Sequence, residues 1–549
     1  MSNDRARLPV AGMTCPHCET TVRGALAAAG ARDVHADFRH GEATFRLGED
    51  VDPVALQAAV RDAGYRPGQV ELPAPPPIAP RRPDGAAYDL AIVGSGSAAF
   101  AAAIAAREQD ARVVMVERGA VGGTCVNIGC VPSKTLLRGA EVYHVAGHHP
   151  FRGVETRADG VDFGQTVAQK DELVAQLRRD KYANLIDEYG WEFVPGEARF
   201  LDRATFAVGG RTIRAGSIIV ATGARPAVPP IPGLAEAGYL TSTEALDLTH
   251  VPRSLVVIGA GYIALELGQL FRRLGSAVTL LQRGARLMPD DEPEVGEAIG
   301  AMLNREGIRV LTGTHVQRVE RVDAIRRLSV VVNGEPQLLA AEQILVAAGR
   351  SPNVEALNLP AAGIETDARG AIVVDDQLRT TNPAVFAAGD VTLCPQYVYV
   401  AAYQGGLAAE NALAGAEKPC DLTALPGVIF TDPQVATVGF TEERARAAGY
   451  QVKTSLLPLS AVPRAQVNYE ELGIFKLVAD AATDWVLGAH IVAGNAGDVI
   501  YAATLAVKHR LSVADLVASF APYLTMAEGL KLGALAFDRD VAKLSCCAA

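Results

Sequence analysis

The chain has no excess of basic charge: 51 lysines and arginines stand against 62 aspartates and glutamates, a formal net charge of −11. That balance argues against a polyanionic partner, whether nucleic acid or an anionic membrane surface. No apolar stretch follows the charges of the opening MSNDRARLPVAG, so no secretory signal is expected. A long spanning run is also missing. The most apolar stretch, LAIVGSGSAAFAAAIAA (Leu90 to Ala106), is short for a span and is broken by Gly and Ser where a turn would fall. It reads as a buried strand, a tight turn and a helix, with no membrane insertion. A soluble, cytoplasmic protein is expected. Cysteine is sparse as well. Eight in 549 residues do not make a disulfide scaffold, which needs a small, Cys-dense, secreted chain. Six of them form three close pairs: Cys15 with Cys18, Cys125 with Cys130, and Cys546 with Cys547. In a reducing compartment such pairs point to redox or soft-metal chemistry. Cys394 and Cys420 stand alone and are expected to be small apolar fillers.

What is present divides the chain. The segment ELPAPPPIAPRRPDGAA (residues 71–87) holds six prolines without an apolar period and reads as a stiff linker. At about 3.1 Å per residue it could hold its flanks up to roughly 50 Å apart. Before it, residues 1–70 suggest a βαββαβ plan: a short strand-like start, GMTCPHC leading into a helix, the strand candidate DVHADFRHGEATFRL, and a second helix in DPVALQAAVRDAGY. The CxxC pair thus lies on a loop opening a helix, where the dipole lowers thiol pKa. Zinc would want four ligands, and only Cys15, Cys18 and His17 are local. Two thiolates suit a soft ion of low coordination, Cu(I) or Hg(II). This stretch resembles the heavy-metal-associated domain, whose loop Met13, Thr14, Cys15 and Cys18 match; His17 takes no role from the resemblance.

After the linker, strand-like and helical stretches alternate, the pattern of a parallel-sheet α/β fold. YDLAIVGSGSAAFAAAIAA is a strand, a glycine turn and a helix. Gly94 and Gly96 let the backbone approach a pyrophosphate, and Ala99 stands where the third glycine permits close helix packing. The next strand ends at Glu117, an acid placed to accept both ribose hydroxyls. A second copy, SLVVIGAGYIALELGQL, carries Gly259, Gly261 and Ala264. One GxGxxG is weak evidence; two in strand–turn–helix context are strong. The same 23 residues separate Gly94 from Glu117 and Gly259 from Gln282. Gln282 removes the carboxylate that would repel a 2′-phosphate, while Arg283 and Arg286 supply attraction. The first site reads as FAD and the second as NADPH.

Between the copies lies GGTCVNIGCVPSK (Gly122 to Lys134), at the start of a long helical stretch. With IIVATGARP (Ile218 to Pro226), AVFAAGD (Ala384 to Asp390) and GVIFTDPQVATVGF, it resembles the pyridine nucleotide–disulfide oxidoreductase family from Tyr88 to Ala536. The resemblance implies an α/β chain with two Rossmann-like domains, an α+β dimerisation domain and a ferredoxin-like metal-binding module in front. Residues 88–250 would be the first part of the FAD domain, 251–350 the NADPH domain, 351–425 the rest of the FAD domain, and 426–549 the dimerisation domain and tail of a homodimer. Cys125 would be the outer, exchanging thiol and Cys130 the inner one beside the flavin. Lys134 would lie near the flavin ring, paired with Glu266. Asp390 would bind near the ribityl chain, and Gly123, Thr124, Ala221, Thr222 and Gly223 would complete the flavin-binding set.

Disulfide-reducing relatives end in a His-Pro-Thr-x-x-Glu segment; here it is Tyr523-Leu524-Thr525-Met526-Ala527-Glu528. A phenol with pKa of about 10 is a poor acid–base at neutral pH. That departure, the front CxxC and the Cys-Cys tail together are similar to the branch of the family that reduces mercuric ion. This branch implies a second tyrosine on the metal path, Tyr182, and Hg(II)–thiol complexes as substrate. It also implies delivery by Cys15 and Cys18, capture by Cys546 and Cys547, reduction at Cys125 and Cys130, and thiol-bearing mercury transport proteins as further partners. A thioredoxin-reductase-like relay and a metal-sequestering protein are the rival classes. Tyr523 and the front module disfavour the first, the intact nucleotide motifs the second. If Gln282 and Arg283 read the 2′-phosphate, Gln282→Glu with Arg283→Ala narrows or inverts the NADPH:NADH ratio of kcat/KM. Equal use of both coenzymes by the parent chain would remove the basis for this reading.

Overall fold

Alternation in ARLPVA buries Ala6, Leu8 and Val10 on one face of β1 (Ala6–Ala11), as a half-covered strand requires. In the computed structural model, which describes residues 5–13, 16–38, 40–47, 51–71 and 86–543, that face belongs to a compact N-terminal unit. Helix α1 (Pro16–Ala28) follows. The single strand candidate of the sequence is two strands, β2 (Arg32–Asp37) and β3 (Glu42–Arg46), paired antiparallel across a turn through His40 and Gly41. Helix α2 (Pro53–Asp62) starts at Asp52, whose carboxylate accepts the Val54 N–H at 2.9 Å. A short β4 (Arg66–Pro67) closes the sheet in the order β2-β3-β1-β4. Val22, Leu26, Leu56 and Val60 of the helices pack on Leu8 and Phe45. Cys15 and most of the expected linker lie outside the described residues, as do Cys546 and Cys547.

The second unit begins with β5 (Tyr88–Val93), all six residues buried, as expected of a central parallel strand covered on both faces. After it come α3 (Ser97–Arg107), β6 (Val113–Glu117), α4 (Gly123–Ile128), α5 (Cys130–His148) and α6 (Phe163–Arg178). A π-helical turn, Arg179–Ala183, continues α6. Strands β7 (Glu192–Pro195), β8 (Ala198–Phe200), β9 (Thr205–Val208) and β10 (Arg211–Val220) complete this region. The parallel order is β7-β6-β5-β10, with Val385–Ala387 returning beside β10; β8, β9 and the first half of β10 form an antiparallel flap.

The plan repeats. Strand β11 (Ser254–Ile258), α7 (Tyr262–Arg273), β12 (Ala277–Leu281), α8 (Pro293–Arg305), β13 (Arg309–Leu311) and β14 (Gln343–Val346) give the parallel order β13-β12-β11-β14. A three-stranded antiparallel meander, Thr314–Val322, Ile325–Val332 and Glu335–Ala341, again flanks it. Helix α9 (Val398–Ala414) then packs along α3. The last region is an antiparallel sheet of β15 (Pro426–Ile429), β16 (Gln434–Gly439), β17 (Val452–Pro458), β18 (Ile474–Asp480) and β19 (Val486–Ala493), in the order β15-β16-β19-β18-β17. Helices α10 (Ala496–Lys508) and α11 (Glu528–Leu535) lie on it. Two Rossmann-like regions, an α+β region and a small ferredoxin-like module therefore make up the chain. Among the described residues no helix is long and apolar enough to cross a membrane.

Candidate active site

The two glycine turns are built alike. Gly94 has φ +115°, and a Cβ on it would lie 2.3 Å from the Ala221 carbonyl oxygen; Gly259 has φ +119° and would meet the Ala347 oxygen at 2.2 Å. A side chain at either position would collide with the neighbouring strand's exit, so each turn is open only to glycine. Ala99 and Ala264 are fully buried where each helix meets its sheet. Gly123 approaches Gly96 so closely that a Cβ on Gly123 would stand 2.6 Å from the Gly96 Cα. The Glu117 carboxylate at the end of β6 accepts the Ser95 hydroxyl and the Gly119 N–H, both at 2.7 Å. At the matching place Gln282 donates to the Arg286 carbonyl at 3.1 Å. Arg286 turns its guanidinium onto the carbonyls of Pro289 and Asp291, whereas Arg283 is exposed.

Beyond the first turn opens a cavity of about 480 Å³, reached by Gly96, Thr124, Ala221, Gly223 and Asp390. Thr222 lies beside the Glu117 groove. Arg350 stands 3.4 Å from the Asp390 carboxylate. Burial lifts the Asp390 carboxyl above its ordinary range and Arg350 opposes the shift. Small residues at the turn, an acid at the ribose position and a deep mostly apolar cavity fit a flavin dinucleotide. The second turn, with Gly261 open to space and no acid at Gln282, fits a phosphorylated nicotinamide dinucleotide.

Cys125, Cys130 and Lys134 line the same cavity. The motif divides at Gly129, so Cys125 sits inside the short α4 and Cys130 is the first residue of α5. A single long helix opened by both thiols is therefore not what forms. A hydrogen bond from the Cys125 thiol to Cys130 lowers Cys130 to about 7 against the opposing effect of burial, and the Lys134 cation adds to the lowering. The same hydrogen bond, with burial, pushes Cys125 strongly upward. The pair therefore favours ionisation at Cys130, with Cys125 kept as the thiol that donates to it. Lys134 Nζ meets Glu266 Oε2 at 2.6 Å and lies 4.7 Å from the Phe430 ring centroid. Glu266, only 5% exposed, also accepts the Phe430 N–H at 2.9 Å. Tyr182 lies in the π-helical turn. It contacts Phe100 edge-on at 4.9 Å and packs under Gly122. Burial raises its pKa, with an opposing hydrogen bond to Ser97, and the charges of Cys125 and Cys130 raise it further.

Three tyrosines of the cavity wall escaped sequence reasoning. Tyr262 stacks on Tyr397 at 6.1 Å, and Tyr397 on Tyr399 at 5.2 Å; burial drives all three phenols above their usual pKa. YVY ahead of an apolar helix was the available signal. Tyr523 is 49% exposed and does not line the cavity of its own chain. Glu528 is buried, its Oε2 has no hydrogen-bond partner, and burial raises its pKa. Cys18 packs partly buried against the module's core. Cys420 accepts a hydrogen bond from the Gln404 amide at 3.7 Å, and Cys394 is half-buried in the loop before α9.

Residues 88–405 match the model of the pyridine nucleotide-disulphide oxidoreductases, 425–534 that family's dimerisation domain, and 7–66 the heavy-metal-associated domain. The chain is 54% identical to a mercuric reductase of Staphylococcus aureus over 548 residues, covering 100% of both. It is 54% identical to a mercuric reductase of Bacillus cereus, over 99% of this chain and 87% of that one. Among solved structures, the HOCl-induced flavoprotein disulfide reductase RclA from Escherichia coli superposes with a TM-score of 0.74 at 29% identity. That match covers 82% of this chain and 99% of the other.

The thiol electrostatics make a test that needs no substrate. In the reduced protein, the pH midpoint of Cys130 alkylation by iodoacetamide should move upward in Lys134→Met, since the nearby cation is lost and Glu266 is left uncompensated. Cys125→Ala, which removes the hydrogen bond contributing most to the shift, should move it further. An unchanged midpoint in both variants would show that neither group sets the Cys130 thiolate.

Proposed function

The chain belongs to the pyridine nucleotide-disulphide oxidoreductases and, within them, to the mercuric reductases, and from that premise we propose how its residues carry out the reaction. The enzyme reduces Hg(II), uses FAD and NADPH, and is a homodimer. Bound NADPH and FAD supply the hydride transfer and the two electrons that convert Hg(II) to elemental mercury. Gly94, Gly96, Ala99, Glu117, Gly123, Thr124, Ala221, Thr222, Gly223 and Asp390 would hold the flavin. Gly259, Gly261, Ala264, Gln282 and Arg283 would hold the coenzyme.

The rest of the reaction falls to side chains. Hg(II) prefers two soft ligands and moves by exchange between thiolates. Cys125, the outer thiol, takes the ion by ligand exchange: its Hg–S bond forms as a bond to the arriving thiolate ligand breaks, and its proton passes to that departing thiolate. Cys130, already poised near neutrality at about 7, closes the second bond. Lys134, anchored on Glu266, keeps a fixed cation on the cavity wall where negative charge develops. Tyr182, protonated at neutral pH, donates a hydrogen bond without competing as a ligand. The partner subunit's Cys546 and Cys547 hand the ion inward beside the partner subunit's Tyr523, while Cys15 and Cys18 carry it from small thiols or from thiol-bearing mercury transport proteins. The enzyme works in the cytoplasm, where reducing conditions keep these thiols free.

The observation that carries this reading is the hydrogen-bonded Cys125–Cys130 pair beside Lys134 and Glu266, in a chain matched from end to end by mercuric reductases. NADPH oxidation should depend on Hg(II) in the presence of excess small thiol, and should stay near background with glutathione disulfide or lipoamide. Fast turnover of either disulfide would favour an ordinary disulfide reductase. A mixed dimer pairing a Cys125→Ala, Cys130→Ala subunit with a Cys546→Ala, Cys547→Ala subunit contains one complete site only if the tail acts across the interface. Such a heterodimer should recover up to about half of native activity, with independent sites assumed; a folded, FAD-loaded and dead heterodimer would restrict the tail to its own chain.

A further inference from the structure

Lys476 is a lysine in the middle of strand β18, yet it is only 3% exposed. A buried ammonium survives only where opposite charges and hydrogen bonds replace its water. Here three carboxylates do so. Lys476 Nζ lies 2.8 Å from Glu292, 2.8 and 2.9 Å from the two oxygens of Glu294, and 3.4 Å from Glu442. Lys476 and Glu442 belong to the dimerisation region matched over 425–534. Glu292 and Glu294 belong to the second nucleotide-binding region, at the start of α8.

Glu292 occupies the N-cap of α8, where an acid ordinarily accepts its own helix's N–H groups. It makes no such bond. Its carboxylate, 3% exposed, turns to the other region instead, taking Lys476 on one oxygen and the Glu442 N–H at 2.5 Å on the other. Ahead of Glu292 runs the loop that begins with Gln282 and Arg283. Its first end is fastened within its own region, where Gly313 N–H reaches the Gly284 carbonyl at 2.9 Å. Within the loop, Gln282 holds the Arg286 carbonyl and Arg286 holds those of Pro289 and Asp291. Met288 is kept at φ +48°, a left-handed conformation that an ordinary residue adopts at a cost and that its surroundings must impose. The second end is Glu292.

We propose that Lys476 is a positioning residue for coenzyme selectivity: through Glu292 it holds the 282–292 loop so that Arg283 faces the 2′-phosphate of NADPH. Lys476 does not touch the coenzyme. The proposal rests on Gln282 and Arg283 as the phosphate readers, and the experiment separates the two ideas. KM and kcat for NADPH and for NADH are measured in the dimeric, FAD-loaded enzyme with Arg283→Ala, Lys476→Met, Lys476→Arg and Glu292→Gln.

Arg283→Ala should raise KM for NADPH and leave that for NADH nearly unchanged; no such split would overturn the phosphate reading itself. Lys476→Met should raise KM for NADPH by roughly fivefold or more, since small displacements of a binding group carry large penalties, with little change in KM for NADH or in kcat. Lys476→Arg should restore most of the difference. Glu292→Gln, which keeps the shape and weakens the charge, should show the same split to a smaller extent, and it decides the matter if Lys476→Met does not fold. If Arg283→Ala loses selectivity while the Lys476 and Glu292 variants retain it, or raise both KM values alike, Lys476 is structural only and the proposal fails.

Discussion

A single carboxylate joins the three parts of the catalytic body. Glu266 projects from α7 of the coenzyme region, receives Lys134 from α5 of the flavin region, and accepts the backbone N–H of Phe430 at the head of the dimerisation region. At 5% exposure it is almost without water. An isolated carboxylate so placed would be strongly destabilised, so the ion is tolerated because both partners are present together. The three regions must therefore dock in one relative arrangement for Glu266 to be satisfied. The same arrangement fixes Lys134 beside the thiols and closes the cavity with the Phe430 ring.

Around that junction the two nucleotide regions work as one design used twice. Each parallel sheet ends in a glycine turn pressed against the carbonyl of the next strand, Ala221 in one and Ala347 in the other. Each is accompanied by three antiparallel strands, continuous with the parallel sheet through β10 in the flavin region and forming a separate sheet in the coenzyme region. The copies diverge at the end of the second strand, with a carboxylate at Glu117 in one and an amide at Gln282 in the other. The shared turn is thus held constant by backbone sterics, while the side chain at the matching strand end differs between the copies.

Much of this was legible because it follows from short-range rules. The buried run of β5, the glycine turns, and the acid or amide at the strand end each depend on local periodicity and on a backbone conformation open to few residue types. The division of the thiol motif at Gly129 was not legible, since both cysteines suit a helix start and the break depends on how α4 packs. Nor was the tyrosine wall: Tyr262 lies far from Tyr397 and Tyr399 in the chain, and only the meeting of the N-terminal ends of α7 and α9 brings the rings together. Lys476 is the plainest miss. Nothing in the strand around it marks a lysine as buried, because its charge is answered by carboxylates from other segments.

The tyrosine wall has a consequence for how the cavity treats a metal ion. Tyr262, Tyr397 and Tyr399 are among the residues lining the cavity that holds the thiols, and burial raises the pKa of each phenol, keeping it protonated well above neutral pH. A protonated phenol offers a soft cation almost nothing, whereas a phenolate or an unpaired carboxylate would give it a resting place. The carboxylates that share the lining, Glu266 and Asp390, are each paired with a cation, Lys134 and Arg350. Cys125 and Cys130 are thus the soft donors that the chamber presents to an entering ion.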